Sequence, residues 1–236
     1  AALQKLKVIL AIDRAGVVGE DGRTHQGVFD VAFLHTIPGI HVYAPTYYDE
    51  LSDNLSDCVE GESRLYAVRY PRGKALYRPA GYKLSGRPFG VYGSTESQVA
   101  VVTYGRLFSF AYEAMQTLAV SGIKCKVIKL NRIIPLDPEV LQILTGCKTV
   151  FFFEEGIRAG GVAECLGGAL AEAGFSGRYV MRCIEDGFIR HAPMFRILER
   201  LGLDQAAAPH AHHIAVHLFR PAQCLVHLLA RHIAVD

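Results

Sequence analysis

The feature that most constrains the fold of this sequence is a repeated alternation of short apolar runs with segments of helical periodicity. In the second half of the chain, four apolar runs predict β-strands at residues 99–103, 125–130, 149–153 and 179–183. Helical segments separate or follow them, near residues 106–119, 138–145, 161–173 and 192–201. Strands joined by single helices pair in parallel through right-handed crossovers. The sequence therefore predicts an α/β fold with an open, mostly parallel sheet flanked by helices.

The first half shows the same alternation on a smaller scale. Its apolar runs predict strands at residues 8–12, 41–44 and 65–70, and helices near 28–35 and after Thr46. Thr46 and Asp49 match a capping box, in which a hydroxyl and a carboxylate bind the free amides at the start of a helix. We therefore expect two units of related construction within one chain.

The boundary between these units is predicted from composition. Residues 74–96 are rich in Gly, Pro, Tyr and Ser and have no clear periodicity. We therefore expect a first unit at residues 1–80, a linker at 81–95 and a second unit at 96–205. Residues 206–236 form a tail of different character, with six of the ten histidines and no acidic residue before Asp236.

Composition excludes several classes of function. The net charge is only +2 and no Lys/Arg cluster stands out, so we expect no nucleic-acid partner. No apolar stretch has the length of a membrane span, so we expect no membrane association. The six cysteines are scattered without a C-x-x-C pair, which predicts a reducing cytoplasm and excludes zinc-knuckle and redox motifs. The chain does not begin with Met, and we expect it to be part of something longer.

The strongest candidates for chemistry lie in a glycine-rich loop at residues 13–27, directly after the first predicted strand. Open α/β sheets place their ligand crevices at the carboxyl ends of strands. The loop carries Arg14, Asp21, Arg23 and His25. A cation, a carboxylate and an imidazole can together bind an anion, orient a hydroxyl and move a proton. On these residues alone, a solvated loop with a structural aspartate is an equally good interpretation.

A second candidate, Arg72, follows the third predicted strand in the run Arg69-Tyr70-Pro71-Arg72-Gly73. If that strand shares a sheet with residues 8–12, Arg72 and Arg14 lie at the same crevice. Two guanidinium groups there can hold a phosphate through charge-assisted hydrogen bonds. An ordinary surface turn is the alternative interpretation.

These motifs also carry a family resemblance. The run AIDRAGVVGEDGRTHQGVFD at residues 11–30 resembles the signature of the 1-deoxy-D-xylulose-5-phosphate synthases, which are transketolase-like thiamine-diphosphate enzymes. The similarity continues through YAP at residues 43–45 and AVRYPRG at residues 67–73. It is weaker but persistent up to about residue 204. The first motif is long and specific.

The resemblance implies a fold and a reaction. Residues 1–80 would be the later part of the pyrimidine-binding domain, and residues 96–205 would be the transketolase carboxyl-terminal domain. Such enzymes decarboxylate pyruvate on thiamine diphosphate with Mg²⁺ and transfer the two-carbon unit to D-glyceraldehyde 3-phosphate. The product serves isoprenoid, thiamine and pyridoxal synthesis. Members of the family are dimers, so the resemblance also implies a homodimer.

The resemblance assigns roles residue by residue. Arg14 and Arg72 would hold the phosphate of the acceptor. Asp21 and His25 would contact its hydroxyl and carbonyl region and assist proton movement, as catalytic residues. The activating glutamate and the diphosphate–Mg²⁺ motif of the family precede residue 1, so the cofactor ligands are expected mostly upstream and the isolated chain is expected to be inactive. Arg190 stands where the family pattern has proline.

Two other functions stay open: the β subunit of a 2-oxoacid dehydrogenase, and a non-catalytic association module from a truncated gene.

For Glu154 and Glu155, we favour helix capping and interface hydrogen bonds over a metal site. His213 and His217 have the spacing of zinc ligands on one helix face, but a poorly ordered or packing tail is the favoured interpretation. We therefore predict no metal site in this chain.

Overall fold

Two β-sheets with flanking helices make up the chain in a computed structural model that describes residues 1–76, 78–185 and 187–203. The strands are β1 (Val8–Ile12), β2 (Ile40–Tyr43), β3 (Leu65–Arg69), β4 (Phe89–Gly93), β5 (Val99–Tyr104), β6 (Lys126–Leu130), β7 (Arg132–Ile134), β8 (Thr149–Ile157) and β9 (Arg178–Ile184). The helices are α1 (Asp30–Leu34), α2 (Tyr48–Glu60), α3 (Leu107–Val120), α4 (Pro138–Thr145), α5 (Val162–Glu172) and α6 (Met194–Leu201). The tail 206–236, with His213 and His217, lies outside the described residues.

The first sheet has the strand order β1-β3-β2-β7. Strand β3 lies between two parallel neighbours, and its Leu65 is opposite both Val8 of β1 and Ile40 of β2. Strand β7 joins the other side of β2 in the antiparallel direction, with Ile134 opposite Val42. Because β7 comes from the second half of the sequence, both halves of the chain contribute to the first sheet.

The second sheet has the strand order β4-β6-β5-β8-β9. Strands β5, β6, β8 and β9 pair in parallel, and β4 is an antiparallel edge strand next to β6. This arrangement confirms the predicted α/β fold with mostly parallel sheets flanked by helices. Across the described ranges, none of these helices has both the length and the hydropathy needed to cross a membrane.

Both faces of the second sheet are covered, which explains why its central strands are apolar at nearly every position. Successive side chains of a strand point to opposite faces. On β8, Phe151 packs in the cluster that contains Phe108 of α3, whereas Phe152 packs in the cluster that contains Leu166 of α5. Each of these phenylalanines has 0% of its surface exposed. The second cluster also includes residues of the first sheet, so one core joins the two sheets.

The predicted capping box of Thr46 and Asp49 is wrong by one residue. Glu50 supplies the carboxylate: its Oε2 accepts hydrogen bonds from the backbone N–H of Thr46 at 2.7 Å and of Tyr47 at 3.3 Å. The Thr46 hydroxyl instead donates to the carbonyl of Gly105 at 2.8 Å. This contact lies in the other half of the chain, and local spacing does not reveal it.

The segment 81–95, predicted as a linker, contains strand β4. Gly90 and Gly93 interrupt this strand, and part of it is exposed, so it lacks the apolar run by which the other strands are recognised. Its pairing with β6, from Phe89 opposite Leu130 to Gly93 opposite Lys126, gives it its regular structure.

We predict that Phe152→Ala lowers the free energy of unfolding by about 3–5 kcal/mol, because it leaves a cavity in the shared core. Urea denaturation followed by circular dichroism measures this change. The control is Phe33→Ala, whose side chain belongs to a residue that is 58% exposed and whose effect should stay within about 0.5 kcal/mol. Equal losses for the two variants would contradict the position of Phe152 in the core.

Candidate functional site

The two loops with candidate arginines leave the same edge of the first sheet. Strands β1 and β3 are parallel neighbours, and Ile12 at the end of β1 is opposite Arg69 at the end of β3. The backbone ladder continues beyond the strands, since Tyr70 N–H donates to the carbonyl of Ile12 and Ala15 N–H donates to that of Tyr70, each at 3.0 Å. The loop at residues 13–27 and the turn at residues 70–73 are therefore adjacent.

Asp21 joins the two candidate arginines. Its Oδ2 accepts a hydrogen bond from Arg14 Nε at 2.8 Å, and its Oδ1 accepts one from Arg72 Nη1. Arg14 Nη1 also lies 2.8 Å from Oδ2 of Asp13. The side chains of Arg14 and Arg72 are 38% and 48% exposed, so both guanidinium groups still face solvent. The structure thus brings Arg14, Asp21 and Arg72 into direct contact.

The charges of this cluster stabilise one another. The hydrogen bond from Arg14, followed by the one from Arg72, holds the pKa of the Asp21 carboxyl below its usual value. The hydrogen bond with Asp21 and the charge of Asp13 raise the pKa of Arg14. Two cations and two carboxylates leave the cluster close to neutral. An anion that bound there would have to compete with Asp21 for the arginines.

The backbone of Arg14 is in an unusual conformation. Its φ is 58°, in the left-handed region that residues other than glycine seldom occupy. Gly27 holds it there, because Gly27 N–H donates to the Arg14 carbonyl at 2.9 Å and the Gly27 carbonyl accepts from Gly16 N–H at 2.8 Å. A Cβ on Gly27 would lie 2.4 Å from the Arg14 carbonyl oxygen. Backbone strain of this kind is concentrated at functional sites.

The other polar residues predicted in the loop lie outside this cluster of contacts. His25 is exposed, and its Nδ1 lies 2.9 Å from the hydroxyl of Thr24. Arg23 is also exposed. Because Gly27 is bonded to Arg14, His25 is nevertheless held on the same closed loop. Its catalytic role stays a prediction.

Sequence reasoning missed a buried ion pair beneath the loop. Arg69, the last residue of β3, binds Asp30 through Nε and Nη2, each at 3.0 Å, and Nη2 also donates to the Gly27 carbonyl at 2.9 Å. The Arg69 side chain is only 3% exposed. The sequence shows an arginine at the end of an apolar strand, but only the fold shows that it reaches the start of α1. This pair fixes the end of the loop that carries His25.

Glu154 and Glu155 have the capping and interface roles that were expected. Oε2 of Glu154 accepts a hydrogen bond from Ala163 N–H at 2.6 Å, at the start of α5. Burial raises the pKa of Glu154 to about 7. Glu155 forms an ion pair with Arg106 and accepts a hydrogen bond from Val17 N–H of the loop. The role of Arg106 was not anticipated, since no motif marks it.

A segment of the second half lies against the same loop. The side chain of Gln26 donates to the carbonyl of Ile189 at 3.2 Å, and Ala192 N–H donates to that of Gly19 at 3.3 Å. Arg190, which departs from the family pattern, lies within this segment. This segment therefore lies against the loop that carries the candidate residues.

Metal ligation has no support in the part of the chain that the structure describes. Within those ranges, no group of three or more His, Cys, Asp or Glu is arranged to hold a metal ion. The tail histidines lie outside them.

Comparison with known families accounts for most of the chain. Residues 1–76 match the pyrimidine binding domain of transketolase, and residues 91–207 match the transketolase C-terminal domain. The first match contains both candidate arginines, and the second contains Arg106 and Glu155.

Curated relatives agree with these matches. The chain is 36% identical over 207 residues to a 1-deoxy-D-xylulose-5-phosphate synthase of Dehalococcoides mccartyi, in a match that covers 86% of the chain and 32% of the relative. It is 37% identical over 210 residues to 1-deoxy-D-xylulose-5-phosphate synthase 1 of Geobacter sulfurreducens, with the same coverages. The chain therefore spans about a third of the length of these relatives.

Solved structures show the same fold. A protein described as a split gene transketolase, inactive beta4 tetramer, superposes with a TM-score of 0.74 at 21% identity, covering 98% of this chain and 69% of that one. The transketolase of Campylobacter jejuni superposes with a TM-score of 0.68 at 18% identity, covering 98% of this chain and 32% of that one.

We predict that Arg14→Ala and Arg72→Ala each raise the pKa of Asp21 toward its usual value, because each removes a charge-assisted hydrogen bond to the carboxylate. Carbon-13 NMR of the Asp21 carboxyl as a function of pH measures this shift. Arg196→Ala is the control, since Arg196 is an ion-paired arginine on α6, bonded to Glu199. A pKa of Asp21 that did not respond to Arg72→Ala would show that the two residues do not interact in solution.

Proposed function

Because this chain belongs to the transketolase family through its pyrimidine-binding and carboxyl-terminal domains, we propose that it is the acceptor-binding part of a 1-deoxy-D-xylulose-5-phosphate synthase. In this proposal, the whole enzyme condenses pyruvate, with loss of CO₂, and D-glyceraldehyde 3-phosphate. The curated relatives support it, since their printed name is that of this synthase. The same relatives favour it over the β subunit of a 2-oxoacid dehydrogenase.

The observation that carries the proposal is the convergence of Arg14 and Arg72 on Asp21 at adjacent strand ends. A phosphate monoester carries nearly two negative charges, and planar guanidinium groups match its oxygens in geometry and charge. In the proposed complex, the two arginines bind the phosphate of glyceraldehyde 3-phosphate. Asp21 holds both arginines in place before the substrate arrives.

Asp21 and His25 then have complementary roles. When the phosphate replaces Asp21 as the hydrogen-bond partner of the two arginines, the Asp21 carboxylate becomes free to accept a hydrogen bond from the hydroxyl of glyceraldehyde 3-phosphate. When a carbon–carbon bond forms at the aldehyde, negative charge develops on its oxygen, and a donor placed there lowers the barrier. We assign that donation to His25, whose exposed ring is held on the loop closed by Arg14 and Gly27.

The proposed cofactors are thiamine diphosphate and Mg²⁺. When bound, thiamine diphosphate supplies the electron sink for the decarboxylation of pyruvate. The family resemblance puts the ligands of both groups mostly upstream of this chain, and we therefore assign neither group to its residues. We also propose a cytoplasmic homodimer that supplies isoprenoid, thiamine and pyridoxal synthesis.

A second candidate function is a non-catalytic association module. It is favoured by the fold that the chain shares with a split gene transketolase described as an inactive beta4 tetramer. The two proposed functions make different predictions about phosphate binding. The acceptor-binding part of a synthase binds it through Arg14 and Arg72, whereas an association module has no need to bind it.

We predict that the chain binds inorganic phosphate and glyceraldehyde 3-phosphate, and that Arg72→Ala weakens both by about tenfold or more, since a hydrogen bond to a charged group contributes about 1.5–3 kcal/mol. Asp21→Asn should leave inorganic phosphate binding intact or strengthen it, because it removes the competing negative charge. Isothermal titration calorimetry measures each affinity.

Arg196→Ala is again the control, because it removes one positive charge from an ion pair outside the arginine cluster. Phosphate affinity that fell equally in Arg196→Ala and Arg72→Ala would reveal only general charge attraction. No phosphate binding by the parent chain would favour the association module.

We further predict that the isolated chain forms no 1-deoxy-D-xylulose 5-phosphate from pyruvate, glyceraldehyde 3-phosphate, thiamine diphosphate and Mg²⁺. The reason is that the chain spans about a third of the length of its curated relatives, and the family resemblance puts the activating glutamate and the metal motif in a part that the chain does not cover. Mass spectrometry of the reaction mixture measures product, with a complete synthase as the positive control. Product that depended on Arg72 would overturn the expectation of inactivity while supporting the acceptor site.

A further inference from the structure

A buried ion pair from the second half of the chain contacts the backbone of the loop at residues 13–27, which carries Arg14 and is called the arginine loop below. Arg106 precedes α3, and Glu155 lies on β8. Arg106 Nε lies 2.7 Å from Glu155 Oε1, and both side chains are only 6% exposed. Among the described residues, neither side chain bonds to Arg72 or Asp21. Their bonds go instead to the segment that follows Arg14.

This pair binds both polar groups of Val17. Arg106 Nη2 donates to the Val17 carbonyl at 2.6 Å and to the Ala15 carbonyl at 3.3 Å. Val17 N–H donates to Glu155 Oε2 at 2.9 Å. In residues 15–17, two backbone carbonyls therefore accept hydrogen bonds from Arg106, and one backbone N–H donates a hydrogen bond to Glu155. One planar guanidinium serves at least four acceptors here, with the Met194 sulfur as the fourth, which the single ammonium group of lysine cannot match in geometry.

Gly16 allows this close approach. Its φ is 78°, and a Cβ at this position would lie 2.4 Å from Glu155 Oε2. Arg14, which directly precedes residues 15–17, also has a positive φ. The backbone N–H of Gly16 donates a hydrogen bond to the Gly27 carbonyl. The ion pair and the loop closure at Gly27 thus hold the backbone from two directions.

The location of the pair argues for a role in conformation. Burying two charges costs much of what their attraction returns, so a buried ion pair is weak evidence for stability in itself. Apart from a contact between Arg106 Nη1 and the Met194 sulfur, this one directs its remaining hydrogen bonds to backbone groups in the other half of the chain. An apolar pair of similar volume would fill the space but would not fix the orientation of residues 15–17.

We propose that Arg106 and Glu155 are positioning residues for the phosphate site, and that they fix residues 15–17 so that Arg14 faces Arg72 across Asp21. The proposal rests on the proposed function for its ligand, but the contacts themselves do not depend on it. Positioning by Arg106 and Glu155 also makes phosphate affinity depend on the orientation of the second half of the chain relative to the first.

The test is the double variant Arg106→Gln/Glu155→Gln, which removes both charges together and leaves no unpaired buried charge. Hydrogen exchange measured by NMR should show the Val17 amide exchanging at least about tenfold faster, with amides of β8 unchanged. Calorimetry should show inorganic phosphate binding about tenfold more weakly, although neither altered residue contacts the ligand. Gly16→Ala provides a second variant, because its Cβ pushes against Glu155 without altering either charge.

The matched control is Lys129→Gln/Glu50→Gln. This is also a buried ion pair between the two halves, with both side chains 1% exposed, but its recorded bonds do not reach the arginine loop. We expect its phosphate affinity and Val17 exchange to equal those of the parent chain. An equal loss in the control would overturn the proposal, since it would assign the effect to general loosening.

Unchanged Val17 exchange in the folded Arg106/Glu155 double variant would also overturn it. If that variant does not fold, Gly16→Ala decides by the same two measurements. If the parent chain binds no phosphate, that result contradicts the proposed function but not the positioning of the loop by the ion pair. Val17 exchange then still decides whether the ion pair holds the loop.

Discussion

The parallel pairing of β1 with β3 sets the position of every group in the candidate site. Parallel strands end at the same edge of a sheet, so the loop after Ile12 and the turn after Arg69 meet there. The backbone bonds of Ala15 and Tyr70 extend this pairing into the loops. Asp21 can bind Arg14 and Arg72 only because of this register. A shift of one residue would turn each strand over and separate the two arginines.

The sequence predicted the elements that depend on local pattern. Apolar runs located all seven strands that have a parallel partner, and the proximity of Arg14 and Arg72 followed from the expectation of parallel strands. Strands β4 and β7 were missed because they are short or interrupted by glycine, and they depend on distant partners. The Arg106–Glu155 pair was missed for a related reason: its hydrogen bonds to Val17 span a long stretch of sequence and leave no periodic signal.

Buried charge is concentrated where the halves of the chain meet. Arg106–Glu155 and Lys129–Glu50 both cross between them, and the second pair is joined by the Tyr82 hydroxyl. Burial lowers the pKa of Lys129 to about 8 even though Glu50 opposes the shift. Such pairs contribute little net stability, but they penalise any arrangement in which one charge loses its partner. They therefore specify one relative orientation of the two halves.

The contribution of β7 to the first sheet has a consequence for the cooperativity of the molecule. A fragment that ended within residues 74–96, between β3 and β4, would lack β7 and would expose the hydrogen-bonding edge of β2. An uncovered edge of this kind recruits strands from other molecules. The two halves therefore do not behave as separable modules, despite matching two family domains. The first half needs β7 to complete its sheet, so unfolding of the second half removes structural support from the first.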